Sequence, residues 1–170
     1  MRNTWKGLLA TAVVAALSAP AAAQVSVIYS TYHPQGAIGN LQYERYLDEL
    51  SERTNGYVTV REKLYSAALM KANEQLKGTG QGLADVGYYC TGNHPAELPL
   101  SALAEVPYVT EKGDAVANAM AELYETYEPL RQEFHRANVE ALAWDVSSPT
   151  IIGVRREVKS AEDLRGAKVR

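Results

Sequence analysis

The side chains able to do covalent or acid–base chemistry are few and scattered: His33, His94, His135 and a lone cysteine, Cys90, four residues before His94. A hydrolytic site needs a nucleophile with a base in reach, and a metal site needs donors at ligand spacing. The chain has no His-Glu-x-x-His and no Gly-x-Ser-x-Gly, and one thiol is too few for a Cys-rich zinc site or an internal disulfide. Cys90 reads as a small buried residue with no neighbouring base to activate it. The run Gly78-Thr79-Gly80-Gln81-Gly82 has the glycine density of a phosphate loop, but it follows a helical pattern and precedes a strand pattern, the reverse of the required order. Non-covalent binding is the chemistry that remains. Its candidates are Tyr32, His33, Tyr88, Tyr89, Cys90, Ser148 and Thr150, which follow the ends of strand patterns, where a hydroxyl or ring can hydrogen-bond or pack against a small ligand. Packing or a loop contact is the plain alternative for each.

The elements that would position them follow from periodicity. Val25, Val27 and Tyr29 alternate with smaller residues, so 24–29 reads as a first strand. Tyr43, Tyr46, Leu47 and Leu50 recur at helical spacing, and Asn55-Gly56 supplies the left-handed residues that close a helix. Val58 and Val60 then alternate as a second strand. Leu69, Ala72 and Leu76 predict a second helix that breaks down through Gly78, Gly80 and Gly82, and 83–89 a third strand. Strands joined by helices over short links imply a parallel α/β layer with right-handed crossovers, whose ligands lie beyond the strand C-termini. Pro-punctuated residues 95–109 predict short helix and loop. Val116, Met120, Leu123 and Tyr127 form a helical stripe that Pro129 breaks, and a further turn through Phe134 leads to a fourth strand over 139–145. Tyr43, Tyr46 and Tyr127 read as core or its margin. Residues 150–154 are extended, a short helix starts at Ser160 with Asp163 three residues on, Gly166 ends it, and 167–170 reads as one more strand.

Composition bounds the function. The 170 residues carry a formal net charge of −3 with 46% apolar residues, which describes a folded acidic protein and argues against nucleic-acid binding, since neutralising phosphates needs a basic face. Arg2 and Lys6 precede an apolar run from Gly7 to Leu17 and the small residues Ala21-Ala22-Ala23. That is the layout of an export signal over 1–23, too short to span a bilayer. The mature chain is therefore expected outside the cytoplasm, in the periplasm, without direct membrane insertion after signal cleavage.

Several pieces in order carry a resemblance: the export signal, Glu52-Arg53-Thr54-Asn55-Gly56, Gly82-Leu83-Ala84-Asp85-Val86-Gly87, Val106-Pro107-Tyr108, and above all 160–170, Ser-Ala-Glu-Asp-Leu-Arg-Gly-Ala-Lys-Val-Arg. Together they resemble the N-terminal part of the dicarboxylate-type extracytoplasmic solute receptors of tripartite ATP-independent periplasmic (TRAP) transporters. The resemblance implies a periplasmic-binding-protein-like α/β lobe with a mostly parallel sheet flanked by helices over 24–147. An inter-lobe strand and the truncated start of a second lobe would follow over 148–170, since family members are about twice as long. It further implies capture of a small organic acid and delivery to membrane permease subunits, with no catalysis, no cofactor and no metal.

Within that resemblance Arg170 matches the arginine that grips the ligand carboxylate, a role suited to the paired in-plane donors of a guanidinium. A surface ion pair is its plain alternative. Ser148, Thr150, Tyr32, Tyr88 and Cys90 complete the expected ligand-binding set. Met70 stands where the family often has glycine, and Thr150 lies near a place where some sugar-acid receptors carry a second arginine. Three other readings stay open. They are a sensing lobe for a receptor kinase, a secreted hydrolase, and an inactive truncated fragment whose terminal carboxylate competes with ligand for Arg170.

Overall fold

The β-branched and aromatic run Val25–Ser30 forms β1, and it becomes the middle of the sheet because it has parallel partners on both sides. The structure is a computed structural model that describes residues 24–106, 110, 112–146 and 153–167. β1 pairs with β2 (Val58–Leu64) and with β3 (Val86–Gly87), giving a three-stranded parallel sheet of order β2-β1-β3. Val25 faces Val58 and Val27 faces Val60; a one-residue irregularity then sets Ile28 opposite Glu62. Of the strand expected over 83–89 only Val86–Gly87 is strand, because the Asp85 carboxylate, 2.8 Å away, takes the Ile28 N–H that a ladder carbonyl would otherwise accept.

α1 (Ile38–Arg53) connects β1 to β2, burying Leu47 and Asn40 and leaving Tyr46 exposed, so Tyr46 leaves the expected stripe. It stops as expected: Asn55 and Gly56 have φ of 50° and 75°, and the Gly56 N–H donates to the Ser51 carbonyl at 2.9 Å. α2 (Gln75–Gly80) begins later than its apolar spacing predicts and runs through Gly78 and Gly80 instead of breaking there. Leu69 is exposed, whereas Met70 is buried. The glycines are needed for close approach. A Cβ on Gly78 would collide with the Met70 sulfur, and one on Gly80 with the Ala137 carbonyl, while the Asn138 side-chain amide donates to the Gly80 carbonyl at 2.7 Å. Bulk at Met70 and its absence at Gly78 are therefore complementary.

The β1-to-β2 connection through α1 and the β2-to-β3 connection through α2 cover opposite faces of the sheet. Tyr29 points toward α1, where its hydroxyl reaches Asn40, while Gly87, the register partner of Ser30, abuts Thr79 of α2. A strand order that reverses at β1 with helices on both sides places the topological switch between the C-terminal ends of β1 and β3.

The remaining helices form the larger apolar core. α3 (Gly113–Thr126) buries Met120 and Tyr124 with Val116 partly covered, whereas Leu123 and Tyr127 are exposed, so the inward line runs at i+4 spacing one residue off the expected stripe. Pro129 does end α3, and it also starts α4 (Glu128–Arg136), where a first-turn proline loses no helical hydrogen bond. Leu76, Leu98, Leu130 and Phe134 close this core, and Tyr124, Phe134 and Trp144 meet edge to face with centroids 5.4 to 6.0 Å apart. The fourth strand expected over 139–145 is not formed among the described residues. The Ala141 N–H donates to the Tyr124 hydroxyl at 3.1 Å in place of a ladder carbonyl. Segment 95–106 forms the expected short turn, a 3-10 helix over Ser101–Glu105. The helix expected at Ser160 is the 3-10 turn Ala161–Leu164, with Asp163 accepting from the Ser160 N–H at 2.9 Å. The expected strands over 150–154 and 167–170 fall largely or wholly outside the described residues.

Candidate functional site

The exit of β1 is held by a buried polar hub. Asn40, fully buried on α1, accepts from the Thr31 hydroxyl at 3.2 Å and donates to the Pro34 carbonyl at 2.9 Å, and the Thr31 oxygen accepts from the His33 N–H at 3.1 Å. From the other side the β2 exit supports the same residues: Ser66 N–H donates to the His33 carbonyl and Ala67 N–H to the Thr31 carbonyl. Ser66 and Ala67 have φ of 54° and 58°, a left-handed pair that costs about 1–2 kcal/mol per residue for side chains with a Cβ. The two hydrogen bonds to Thr31 and His33 offset that cost and fix the backbone on either side of Tyr32.

These supports bring Tyr32, His33 and Tyr88 together, as their positions beyond two strand ends imply. The ring centroids are 4.4 Å apart for Tyr32 and His33, 4.9 Å for His33 and Tyr88, and 5.7 Å for Tyr32 and Tyr88. Tyr43 of α1 joins them 5.1 Å from Tyr88. All four rings are half-buried and form an aromatic rim over the switch point. Tyr89 does not join; it turns the other way, edge-on to the buried His94 and against the helical core.

Cys90 departs from its expected place as a plain buried residue. It is half-buried, and its thiol lies 3.3 Å from a Glu105 carboxylate oxygen that also accepts from the Thr91 hydroxyl at 2.6 Å and the Gly92 N–H at 2.5 Å. Burial, and next the Glu105 hydrogen bond, push the thiol pKa up, so it is a poor nucleophile. A Cβ on Gly92 would meet that carboxylate, so any larger residue would displace the Glu105 side chain.

The Tyr32 hydroxyl is pushed up first by burial, then by Cys90 and Glu105; those of Tyr43 and Tyr88 are pushed up by burial, with Asp145 adding to both. All three tyrosines are neutral hydroxyls near neutral pH. Asp145 also lines a cavity of about 230 Å³ with Asp114, Trp144 and the start of α3. Among the described residues no group of three or more His, Cys, Asp or Glu side chains is placed to hold a metal ion. Ser148, Thr150 and Arg170 lie outside the described residues.

Tyr43, which its helical stripe placed in the core or at its margin, joins the rim, and Glu105, which the strand ends do not single out, holds the turn beside it. Glu105 did leave a signal, an acid inside the otherwise apolar run 95–109.

Residues 29–170 match the model of the bacterial extracellular solute-binding proteins, family 7. The chain is 26% identical over 176 residues to the outer membrane transporter protein TsaT of Comamonas testosteroni, an alignment covering 98% of this chain and 49% of that protein. A TRAP periplasmic solute-binding protein from Desulfovibrio salexigens, in an open complex, is similar at 32% identity and TM-score 0.60, covering 67% of this chain and 35% of that one. Two further structures are each 20% identical over 66% of this chain. One is DctP7 of Bordetella pertussis, an extracytoplasmic receptor binding pyroglutamic acid, covered over 36% of its length with TM-score 0.54. The other is a TRAP solute-binding protein from Rhodoferax ferrireducens with copurified benzoate, covered over 34% with TM-score 0.57. The chain thus spans about half the length of the curated relative and about a third of these solved receptors.

Proposed function

Because the chain belongs to family 7 of the bacterial extracellular solute-binding proteins, whose members bind solutes and do not transform them, we propose that it captures a small organic acid in the periplasm and hands it to the membrane permease of a TRAP transporter. The observation that carries this reading is the rim of Tyr32, His33 and Tyr88 at the switch point of a parallel sheet, the place where such sheets receive ligands. Arg170 is assigned the ligand carboxylate, with Ser148 and Thr150 offering hydroxyls beside it. A planar guanidinium makes two parallel charge-assisted bonds to a carboxylate, which lysine does not reproduce. Two similar solved receptors hold pyroglutamic acid and benzoate, both carboxylic acids. The division into an export signal over 1–23, a first lobe over 24–147 and an inter-lobe segment over 148–170 belongs to the same proposal. Among the described residues no helix is long and apolar enough to cross a membrane.

Titration calorimetry with a panel of monocarboxylates and dicarboxylates tests the reading. Binding of at least one acid is expected, with Arg170→Lys weakening it by about tenfold or more, the loss of one bidentate charge-assisted contact. Unchanged affinity in Arg170→Lys and Arg170→Ala would remove the arginine from its role, and binding of no acid at all would remove the function.

A further inference from the structure

The rim that fixes the β1 and β3 exits has a chemistry of its own. Its surface consists of three tyrosine rings and one imidazole within 4.4 to 5.7 Å of their neighbours, all half-buried. Rings held in tilted contact on rigid strand ends and a helix present π-faces and edges to whatever enters, with two rotatable bonds each and little ordering cost. An aliphatic chain gains only contact area from such a surface. A planar ring gains the offset or edge-to-face geometry as well, about 0.5–1.5 kcal/mol for each good pair.

Charge narrows the choice further. The acid that bears on the rim is Glu105, tied to the Cys90–Gly92 turn by three hydrogen bonds. Glu105 is not free to swing away, because its oxygen is committed to Thr91 and Gly92. Lys63 on β2 pairs with Asp48 and Arg45 on α1 pairs with Glu49, each at 2.9 Å. A second carboxylate reaching this rim would meet the Glu105 charge in a partly desolvated setting, an arrangement that selects by repulsion.

Resting on the organic-acid reading above, we infer that the ligand is an aromatic monocarboxylate whose ring packs against Tyr32, His33 and Tyr88, and that Glu105 disfavours dicarboxylates at the same position. The rim thus sets which acid is taken, and the carboxylate grip sets only that an acid is taken.

Calorimetry on the full chain with benzoate, cyclohexanecarboxylate and succinate tests the inference. Benzoate is expected to bind at least tenfold more tightly than succinate and severalfold more tightly than cyclohexanecarboxylate. Tyr88→Leu should weaken benzoate by about tenfold and succinate by less than twofold, Tyr88→Phe should keep benzoate binding, and Glu105→Gln should narrow the benzoate-to-succinate ratio. Thermal melts confirm that each variant is folded, and Tyr88→Phe keeps the ring where Tyr88→Leu loosens the rim. Succinate binding as tightly as benzoate, or cyclohexanecarboxylate matching it, overturns the aromatic assignment while leaving an acid receptor in place. Binding of none of the three acids, or of the wider panel, overturns both readings.

Discussion

Glu133 is 1% exposed, sits on α4, and has no cationic partner among the described residues, yet it is fully hydrogen-bonded. One carboxylate oxygen accepts from the Leu100 N–H at 2.5 Å; the other accepts from the Ser101 N–H at 3.0 Å and the Ser101 hydroxyl at 2.9 Å. It pins the start of the Ser101–Glu105 turn, whose last residue holds the Cys90–Gly92 loop beside the rim. Glu133→Gln keeps the shape but puts an amide NH2 where an acceptor was. The least damaging orientation keeps the carbonyl on Ser101 and leaves the Leu100 N–H facing another donor. Losing one bond to a charged group costs about 1.5–3 kcal/mol, and the two remaining bonds become neutral and weaker, so the total is about 2–4 kcal/mol. Urea unfolding followed by the fluorescence of Trp144, which packs on Phe134 next along α4, reads this as a lower midpoint at unchanged slope. The opposing contribution is the desolvation of an ionised carboxylate, which the glutamine removes. A Gln variant as stable as the parent, or more stable, would show that desolvation outweighs the three bonds and that Glu133 is not what anchors the turn.

Gly87→Ala should destabilise the sheet edge by about 1–3 kcal/mol through overpacking, because its Cβ would collide with the Thr79 hydroxyl, and Thr79→Ala in the same chain should restore most of the loss. Denaturant midpoints of the two single variants and the double variant check this, and additive losses would refute it. The Asp163 carboxylate is held below the usual carboxylate range, first by the Lys159 and Ser160 N–H groups and then by the Ser160 hydroxyl. With its folded pKa depressed, the order it lends to the 161–164 turn is complete above the ordinary carboxylate pKa. That order is lost as pH falls through the lowered value. An NMR titration should show the Asp163 carboxyl and the Ser160 amide moving together below the usual Asp range; a midpoint at or above that range would contradict the assignment.

Parts of this protein were legible because their causes are local. The alternating Val25, Val27 and Tyr29, the Asn55-Gly56 stop, the start of β2 at Val58 and the break at Pro129 depend on backbone preference and on neighbours a few residues away, so the one-dimensional pattern carries them. The parallel α/β class followed from their order, and the strand ends pointed to Tyr32, His33 and Tyr88. Arg170 rests on family resemblance alone, since nothing in the spacing of the chain singles it out.

Other features depend on contacts between distant residues. Asp85 cut β3 short by capping a backbone group on β1, Tyr124 took the hydrogen bond that residues 139–145 would have needed from a neighbouring strand, and Gly78 and Gly80 stayed helical because Met70 and Ala137 fill the space beside them. Tyr43 and Glu105 entered the rim the same way, from a helix and a turn that touch it only in three dimensions. Periodicity reports which side of an element is covered, not what covers it. The sequence by itself thus determined the kinds of elements, their order and the strand ends at which Tyr32, His33 and Tyr88 gather. Only the tertiary structure decided which further ring and which acid join them there, because hydrogen-bond satisfaction, close packing and the local field are settled between residues far apart in the chain.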